Sequence, residues 1–218
     1  MRRLCGFLVV LCVLAGWSVQ AAAHPHVWIV ARSEIVFDAE GKLTGFRHTW
    51  TFDPAYSAFA VTGLDSHGDG KPDPDKLAEL AKTNVESLEE WSYFTAAKVN
   101  GTSVEFARPA EYSQTYDDHH LTLRFLLPLR AAVKAPKVIG LEVDDPSFFI
   151  AFNLAEGADA VTLAGPPKGC ALTVKRPAKP AEEGVQILAD AVANALAGKL
   201  DPSTLGGDYT PHILVACP

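Results

Sequence analysis

Apolar and polar side chains alternate along the chain between His26 and Asp53, which is the period of β-strands that bury one face. The run Val27–Val30 is β-branched and aromatic, as strands prefer, and the segment Ala39–Lys42 carries a glycine typical of a turn. The pattern therefore predicts a β-hairpin made of two long strands.

The charges on these two strands indicate the register of the hairpin. If Asp38 pairs with Leu43, then Glu34 lies opposite Arg47, and opposite charges in cross-strand positions are favourable. His48 then lies on the apolar face, where a single histidine is more often a hydrogen-bonded core residue than a ligand. The other pairs in this register join residues of the apolar face: Ile29–Phe52, Ala31–Trp50 and Ser33–His48.

Two helices are predicted after the hairpin. Asp53 followed by Pro54 is a typical helix start, and Gly63 is a typical helix stop. Apolar residues then recur at intervals of three and four from Leu77 to Trp91, which predicts a longer amphipathic helix.

Strand patterns dominate the rest of the chain, except for one helical pattern at 185–196. A proline-containing segment at 175–183 precedes that helix and marks a candidate sub-boundary. We therefore predict an α+β fold, a largely antiparallel β-sheet with an EF-hand-like helix-loop-helix insertion and a C-terminal helix. The runs typical of strands lie at 121–125, 138–143, 148–152, 160–163, 171–174 and 212–216.

The first 23 residues have the pattern of a secretory signal peptide. A basic start at residues 2–3 precedes an apolar stretch at 4–15, and Ala21–Ala23 fits the A-x-A cleavage pattern. Cleavage there leaves a mature chain that begins at His24 and forms one domain, residues 24–218. We expect a soluble periplasmic protein with no membrane span after cleavage.

The mature chain is acidic, with 17 Lys and Arg against 26 Asp and Glu, so its formal net charge is −9. This balance argues against a nucleic-acid-binding protein, which must neutralise phosphates. Only Cys170 and Cys217 remain after cleavage. In an oxidising compartment such a pair favours a disulfide, and two thiolate ligands of a metal are the alternative.

The predicted amino terminus, His24-Pro25-His26, groups an α-amine with two imidazoles. His24 can chelate a metal through its amine and ring together, and imidazole suits zinc, nickel and copper. Pro25 has no amide proton to lose, which impairs the chelate that uses a deprotonated amide. The sequence therefore predicts a divalent transition-metal site, for zinc or nickel. Solvated histidines at the start of a strand are the alternative.

Further ligands for such a metal have to come from elsewhere in the chain. The segment Asp117–His120 is the densest group of candidates, and it includes His119 and His120. Strand geometry lets only half of this segment face one metal, and an exposed turn is the alternative. Asp53 is a further candidate ligand, although a helix N-cap also explains it.

The segment 65–73 resembles the calcium-binding loop of an EF-hand, with Gly70 at the required position 6. His67 at position 3 and Lys76 at position 12 stand where oxygen ligands belong. We therefore expect calcium binding to be weak or absent. The acids at positions 1, 5 and 9 are Asp65, Asp69 and Asp73.

Sequence motifs of common enzymes are absent. The chain contains no G-x-S-x-G elbow, no P-loop, no H-E-x-x-H helix and no dinucleotide-binding fingerprint. The sequence therefore predicts a binding protein rather than an enzyme.

Four segments together resemble a bacterial periplasmic family of unknown function: HPHVW at 24–28, HTWTFDPAYSAFAVTGLDSHGDG at 48–70, NVESLEEWSYFTAAKVNG at 84–101 and DDPSFFIAF at 144–152. The family is commonly labelled the periplasmic component of an uncharacterised ABC-type transport system. Its members are often encoded beside nickel, cobalt or zinc permeases, so the resemblance implies a role in metal handling. The residues that match are His24 and His26 of the opening motif, Asp53 of the FD pair, and Asp65, Asp69 and Gly70 of the loop; His67 and Lys76 depart from the pattern.

These observations predict a periplasmic metal-binding accessory protein that serves an inner-membrane zinc, nickel or cobalt permease. The alternative, from a different class, is a structural or interaction module of the periplasm that binds no metal. Convergence of His24 and His26 with one or two further ligands would favour the first.

Overall fold

The computed structural model describes residues 25–176 and 210–218. Strands account for 46% of the described residues and helices for 17%, so the protein is mostly β and the predicted α+β class is wrong. Two helices and one 3-10 segment pack on part of the larger sheet. The predicted signal peptide and the predicted C-terminal helix lie outside the described residues.

The larger of two sheets contains β1 (Val27–Phe37), β2 (Leu43–Phe52), β5 (Tyr112–Asp117), β6 (His120–Val133), β8 (Ile150–Leu154) and β9 (Val161–Ala164). The strand order is β5-β6-β2-β1-β8, and β9 also pairs with β1. Both β8 and β9 run parallel to β1, whereas the other neighbours are antiparallel.

Strands β1 and β2 form the predicted hairpin, and its predicted register is confirmed for the pairs Ile29–Phe52, Ala31–Trp50, Ser33–His48 and Glu34–Arg47. The last pair also forms a side-chain salt bridge. Close to the turn the register shifts, so that Phe37 rather than Asp38 pairs with Leu43. The Asp38 carboxylate accepts hydrogen bonds from backbone N–H groups of the turn instead.

The smaller sheet contains β3 (Thr95–Val99), β4 (Thr102–Ser103), β7 (Val138–Val143), β10 (Ala171–Lys175) and β11 (His212–Ala216). Its strands are antiparallel and lie in the order β10-β11-β7-β3-β4. Cys170, just before β10, forms a disulfide with Cys217, just after β11, with an S–S distance of 2.04 Å. The predicted disulfide is confirmed, so neither sulfur is a free thiolate ligand.

One face of the larger sheet buries two apolar clusters. The first cluster includes Ile29, Trp50 and Leu123 and packs under the helices. The second includes Ile35, Phe46 and Leu129 and packs against Ile139 and Leu141 of the smaller sheet. The sheet therefore has one end that faces the smaller sheet and one that faces the helices.

His48 lies on this face between the two clusters and is completely buried. Its Nδ1 is 3.0 Å from Ser33 Oγ, and its Nε2 is 3.4 Å from Thr95 Oγ1. Burial lowers the pKa of His48 to about 3, so the ring is neutral at neutral pH. The prediction that His48 is a hydrogen-bonded core residue is confirmed.

Helix α1 spans Pro54–Ala60 and helix α2 spans Pro74–Ser87. The helix predicted to reach Trp91 ends earlier, and a 3-10 segment, Leu88–Phe94, follows it. The predicted EF-hand-like insertion is wrong, because α1 has only seven residues and the loop that follows closes on a side chain of α2. Within the described part of the chain, no helix is long and apolar enough to cross a membrane.

Candidate functional site

His26 lies at the end of the larger sheet where β1 begins, which we call the His26 end. Its backbone N–H donates to the carbonyl oxygen of Phe149 at 2.9 Å, and the two rings lie 4.9 Å apart between centroids. Parallel pairing of Val27 with Ile150 continues this contact into the sheet. The side chain of His26 is exposed but its backbone is fixed.

Asp53 ties the start of β1 to helix α1. One carboxylate oxygen, Oδ2, accepts the N–H of Trp28 at 3.0 Å, and Oδ1 accepts the N–H of Tyr56 at 2.9 Å. The second contact is a helix N-cap, as the Asp-Pro pair indicates. Both oxygens therefore have a backbone donor, and the residue holds Trp28 two positions after His26.

The segment Asp117–His120 forms the turn between β5 and β6. Asp118 and His119 are its central residues, with positive φ values of 45° and 62°, and Asp117 pairs with His120. His119 is exposed, and Nδ1 of His120 lies 2.6 Å from the carbonyl oxygen of Asp118. The segment is therefore an exposed turn, which the sequence analysis gave as the alternative to a ligand role.

The fold does bring several predicted ligands to the same end of the sheet. Thr51 pairs with Thr122, and Asp53 and His120 each lie two residues beyond that pair, toward the His26 end. Residues 25–176 and 210–218 nevertheless contain no group of three or more His, Cys, Asp or Glu side chains that could hold a metal ion. His24, the predicted terminal ligand, lies outside the described residues.

The loop before α2 folds around the carboxylate of Asp65. Three backbone N–H groups donate to this carboxylate, from His67 at 3.0 Å, Gly68 at 2.6 Å and Gly70 at 2.8 Å. The bond from Gly70 is the main cause that lowers the pKa of Asp65. Gly68 and Gly70 have φ values of 72° and 82°, which glycine adopts at little cost.

Lys76 supplies a cation to the same loop. Its Nζ lies 2.6 Å from Ser66 Oγ, 3.3 Å from the carbonyl oxygen of Gly63 and 3.4 Å from Asp73 Oδ2. Nδ1 of His67 lies 2.9 Å from Asp73 Oδ1, and hydrogen bonds from Ser66 and then His67 hold the pKa of Asp73 well below its usual range. Backbone N–H groups thus occupy the Asp65 carboxylate and Lys76 lies beside that of Asp73, and weak or absent calcium binding stays our prediction.

A cavity of about 490 Å³ lies beside the His26 end, between the core face of the larger sheet, the carboxyl end of α2 and the loop 145–150. Its volume is within the range of small-molecule sites. Phe149 belongs both to the cavity wall and to the contact with His26. The aromatic residues that line the cavity are Trp50, Phe52, Tyr56, Trp91, Phe94 and Phe149.

The 3-10 segment places two of these rings. Trp91 and Phe94 are nearly parallel, with an interplanar angle of 8° and centroids 6.0 Å apart. The chain turns here through three successive left-handed residues, Ser92, Tyr93 and Phe94, with φ values of 52°, 56° and 46°. Each such residue costs on the order of 1 kcal/mol, and conformations of this kind cluster at functional sites.

Asp145 is the one charged side chain among the described residues that line the cavity. It is 3% exposed, and its Oδ1 accepts hydrogen bonds from the N–H and the hydroxyl of Ser147 at 2.9 and 2.7 Å. Its Oδ2 accepts the N–H of Ile150 at 2.9 Å. All three donors are neutral, so the charge of the carboxylate has no cationic partner in these contacts.

The sequence did not indicate this cavity. The apolar spacing placed Trp91 on an amphipathic helix, and Asp145 was not among the predicted site residues. The contact between these segments depends on parallel pairing of β1 with β8, which joins residues more than 100 positions apart. The aromatic residues within the segments 84–101 and 144–152 were the feature of the sequence that could have indicated the cavity.

The chain belongs to the DUF1007 family of proteins of unknown function, which it matches over residues 9–217. It is also 28% identical, over 89 residues, to an uncharacterised 15.5 kDa protein from the trpE 3′ region of Spirochaeta aurantia. That match covers 41% of this chain and 64% of the other protein. No solved structure is significantly similar to the chain.

Proposed function

We propose that the protein is an exported metal-binding accessory protein of a zinc, nickel or cobalt transport system. The observation that supports this most is the placement of His26, whose side chain is exposed while its backbone is fixed to Phe149. A ligand held on a rigid sheet is pre-positioned for a metal. The resemblance to periplasmic proteins encoded beside metal permeases supports the same role.

The proposed ligands are the amine and imidazole of His24 and the imidazole of His26. Amine and imidazole nitrogens suit zinc and nickel. Asp53 acts as a positioning residue, because its carboxylate holds the N–H of Trp28 and so fixes the strand that carries His26. His120 lies at the same end of the sheet and is a candidate for a further ligand.

A site built from so short a segment leaves coordination positions open. Structural zinc sites use four protein ligands, whereas sites with fewer keep positions for water or another donor. An open site can pass its metal to a partner that supplies the missing ligands. This property fits an accessory protein of a permease better than a protein stabilised by a permanent metal.

Exposed aromatic side chains flank His26 and suit contact with such a partner. Trp28 is 37% exposed and Phe149 is 47% exposed. Aromatic residues are enriched at protein interfaces. The same observation favours the second candidate function, an interaction module of the periplasm that binds no metal.

Metal titration of the purified mature protein separates the two functions. We expect competition with a chromogenic chelator to detect zinc or nickel binding, and His26→Ala to weaken it at least about tenfold. His67→Asn is the matched control, since it replaces a different exposed histidine and its amide can still donate to Asp73. Absence of binding, or equal loss in both variants, would favour the interaction module.

A further inference from the structure

We propose that the aromatic cavity beside the His26 end binds a small organic cation, an alkylated ammonium compound. This site is separate from the proposed metal ligands. The aromatic wall of the cavity and the charge around it support this assignment, which does not depend on metal binding.

The wall of the cavity suits an alkylated cation. Faces of Trp, Tyr and Phe rings attract cations, and several rings together form the cages that recognise quaternary ammonium groups. The six aromatic side chains of this cavity include Trp91, which is 56% exposed, and Tyr56, which stacks on Phe52 with centroids 4.8 Å apart. Alkyl groups on the cation would also remove apolar wall from water.

The charge around the cavity has one sign. Asp145 lines the wall, and the hydrogen-bond donors to its carboxylate are all neutral. The pKa of the Tyr56 hydroxyl is raised by burial and, in second place, by the charge of Asp53. No Lys, Arg or His lies among the described residues that line the cavity. The site therefore disfavours anions and favours a cation.

Choline and its uncharged isostere, 3,3-dimethylbutan-1-ol, test the proposal on the unaltered mature protein. The two probes have the same shape and the same hydroxyl, and they differ in charge. We expect calorimetry to show that choline binds at least about tenfold more tightly than the alcohol. Equal binding of both probes would show a neutral apolar site, and failure of choline to bind would overturn the proposal.

Variants then locate the binding. We expect Trp91→Leu to weaken choline binding at least about fivefold, since one ring of the cage is lost. Phe59→Leu is the matched control, because Phe59 is 78% exposed and does not line the cavity. Choline binding that survives Trp91→Leu, or that falls equally in both variants, would place the site elsewhere and overturn the assignment.

Discussion

Nε2 of His48, in the larger sheet, lies 3.4 Å from Oγ1 of Thr95, in the smaller sheet, so a buried imidazole joins the two sheets. The Thr95 hydroxyl donates to the carbonyl oxygen of Tyr93 at 2.8 Å. It must therefore accept from His48, which places the proton on Nε2. Nδ1 then accepts from the hydroxyl of Ser33.

This arrangement predicts that stability falls in mild acid. The pKa of His48 is about 3 in the folded protein and about 6.5 when the ring is solvated, so the unfolded state binds more protons between these values. The stabilisation is fully present above pH 6.5 and is lost as the pH falls toward 3. By pH 5 the free energy of unfolding should have fallen by roughly 2 kcal/mol. Urea denaturation between pH 5 and 7.5 measures it.

His48→Gln is the variant that isolates this effect, because a neutral amide can still accept from Ser33 and donate to Thr95. We expect its free energy of unfolding to be nearly independent of pH from 7 to 5. His119→Gln, at an exposed histidine, should keep the slope of the unaltered protein. The same slope in His48→Gln would mean that another group is responsible.

Asp53 should matter for stability more than for metal ligation. Asp53→Ala removes the N-cap of α1 and the acceptor for Trp28, so we expect the free energy of unfolding to fall by about 1–2 kcal/mol. Asp53→Asn can still cap the helix, and we expect it to keep zinc affinity within about twofold. A tenfold loss of zinc affinity in Asp53→Asn would instead make Asp53 a direct ligand.

The loop 61–73 should respond to calcium only when its internal cation is removed. In the unaltered protein the Lys76 ammonium lies among Gly63, Ser66 and Asp73, so we expect calcium at about 1 mM to leave the melting temperature unchanged. In Lys76→Gln the same calcium concentration should raise it, because the acids have lost a counter-charge. Lys71→Gln, at an exposed lysine of the same loop, should behave like the unaltered protein, and a calcium response there would contradict this account.

The disulfide should contribute a large part of the free energy that stabilises the smaller sheet. It joins residues 47 positions apart, and the chain-entropy relation gives about 4 kcal/mol for a loop of that size. We expect the double variant Cys170→Ser and Cys217→Ser to lose a comparable amount in urea denaturation. Free thiols in unreduced, denatured protein would show that the bond does not form.

Local patterns predicted the local parts of this fold. The hairpin register followed from alternation and from Glu34 and Arg47, because an antiparallel pair joined by a short turn is determined by its own residues. The early end of α2 was not predictable in this way, since Trp91 keeps the helical spacing but is non-helical, with φ −101°. Its side chain lines the cavity together with residues from distant segments, which local spacing does not reveal.

The candidate site was likewise predictable only in its local features. The N-cap role of Asp53 and the turn at Asp118 and His119 were both open alternatives in the sequence, since their residue types favour caps and turns. The hydrogen bond from Trp28 to Asp53 was not predictable, because it requires β1 and α1 to meet in space. Asp145 was not among the predicted site residues, and its place in a cavity wall depends on the parallel strand β8.

In our proposal, signal cleavage creates the metal site by freeing the amine of His24. Extending the mature protein by Gly-Ser keeps both imidazoles and displaces the amine, and competition titrations with zinc or nickel compare the two forms at pH 7.5. We predict that the extended form binds at least about tenfold more weakly, on the order of 1.4 kcal/mol. We also predict that the affinity of the unextended form falls as the pH drops, because its nitrogen ligands must lose protons. Equal affinities for the extended and unextended forms would contradict the claim.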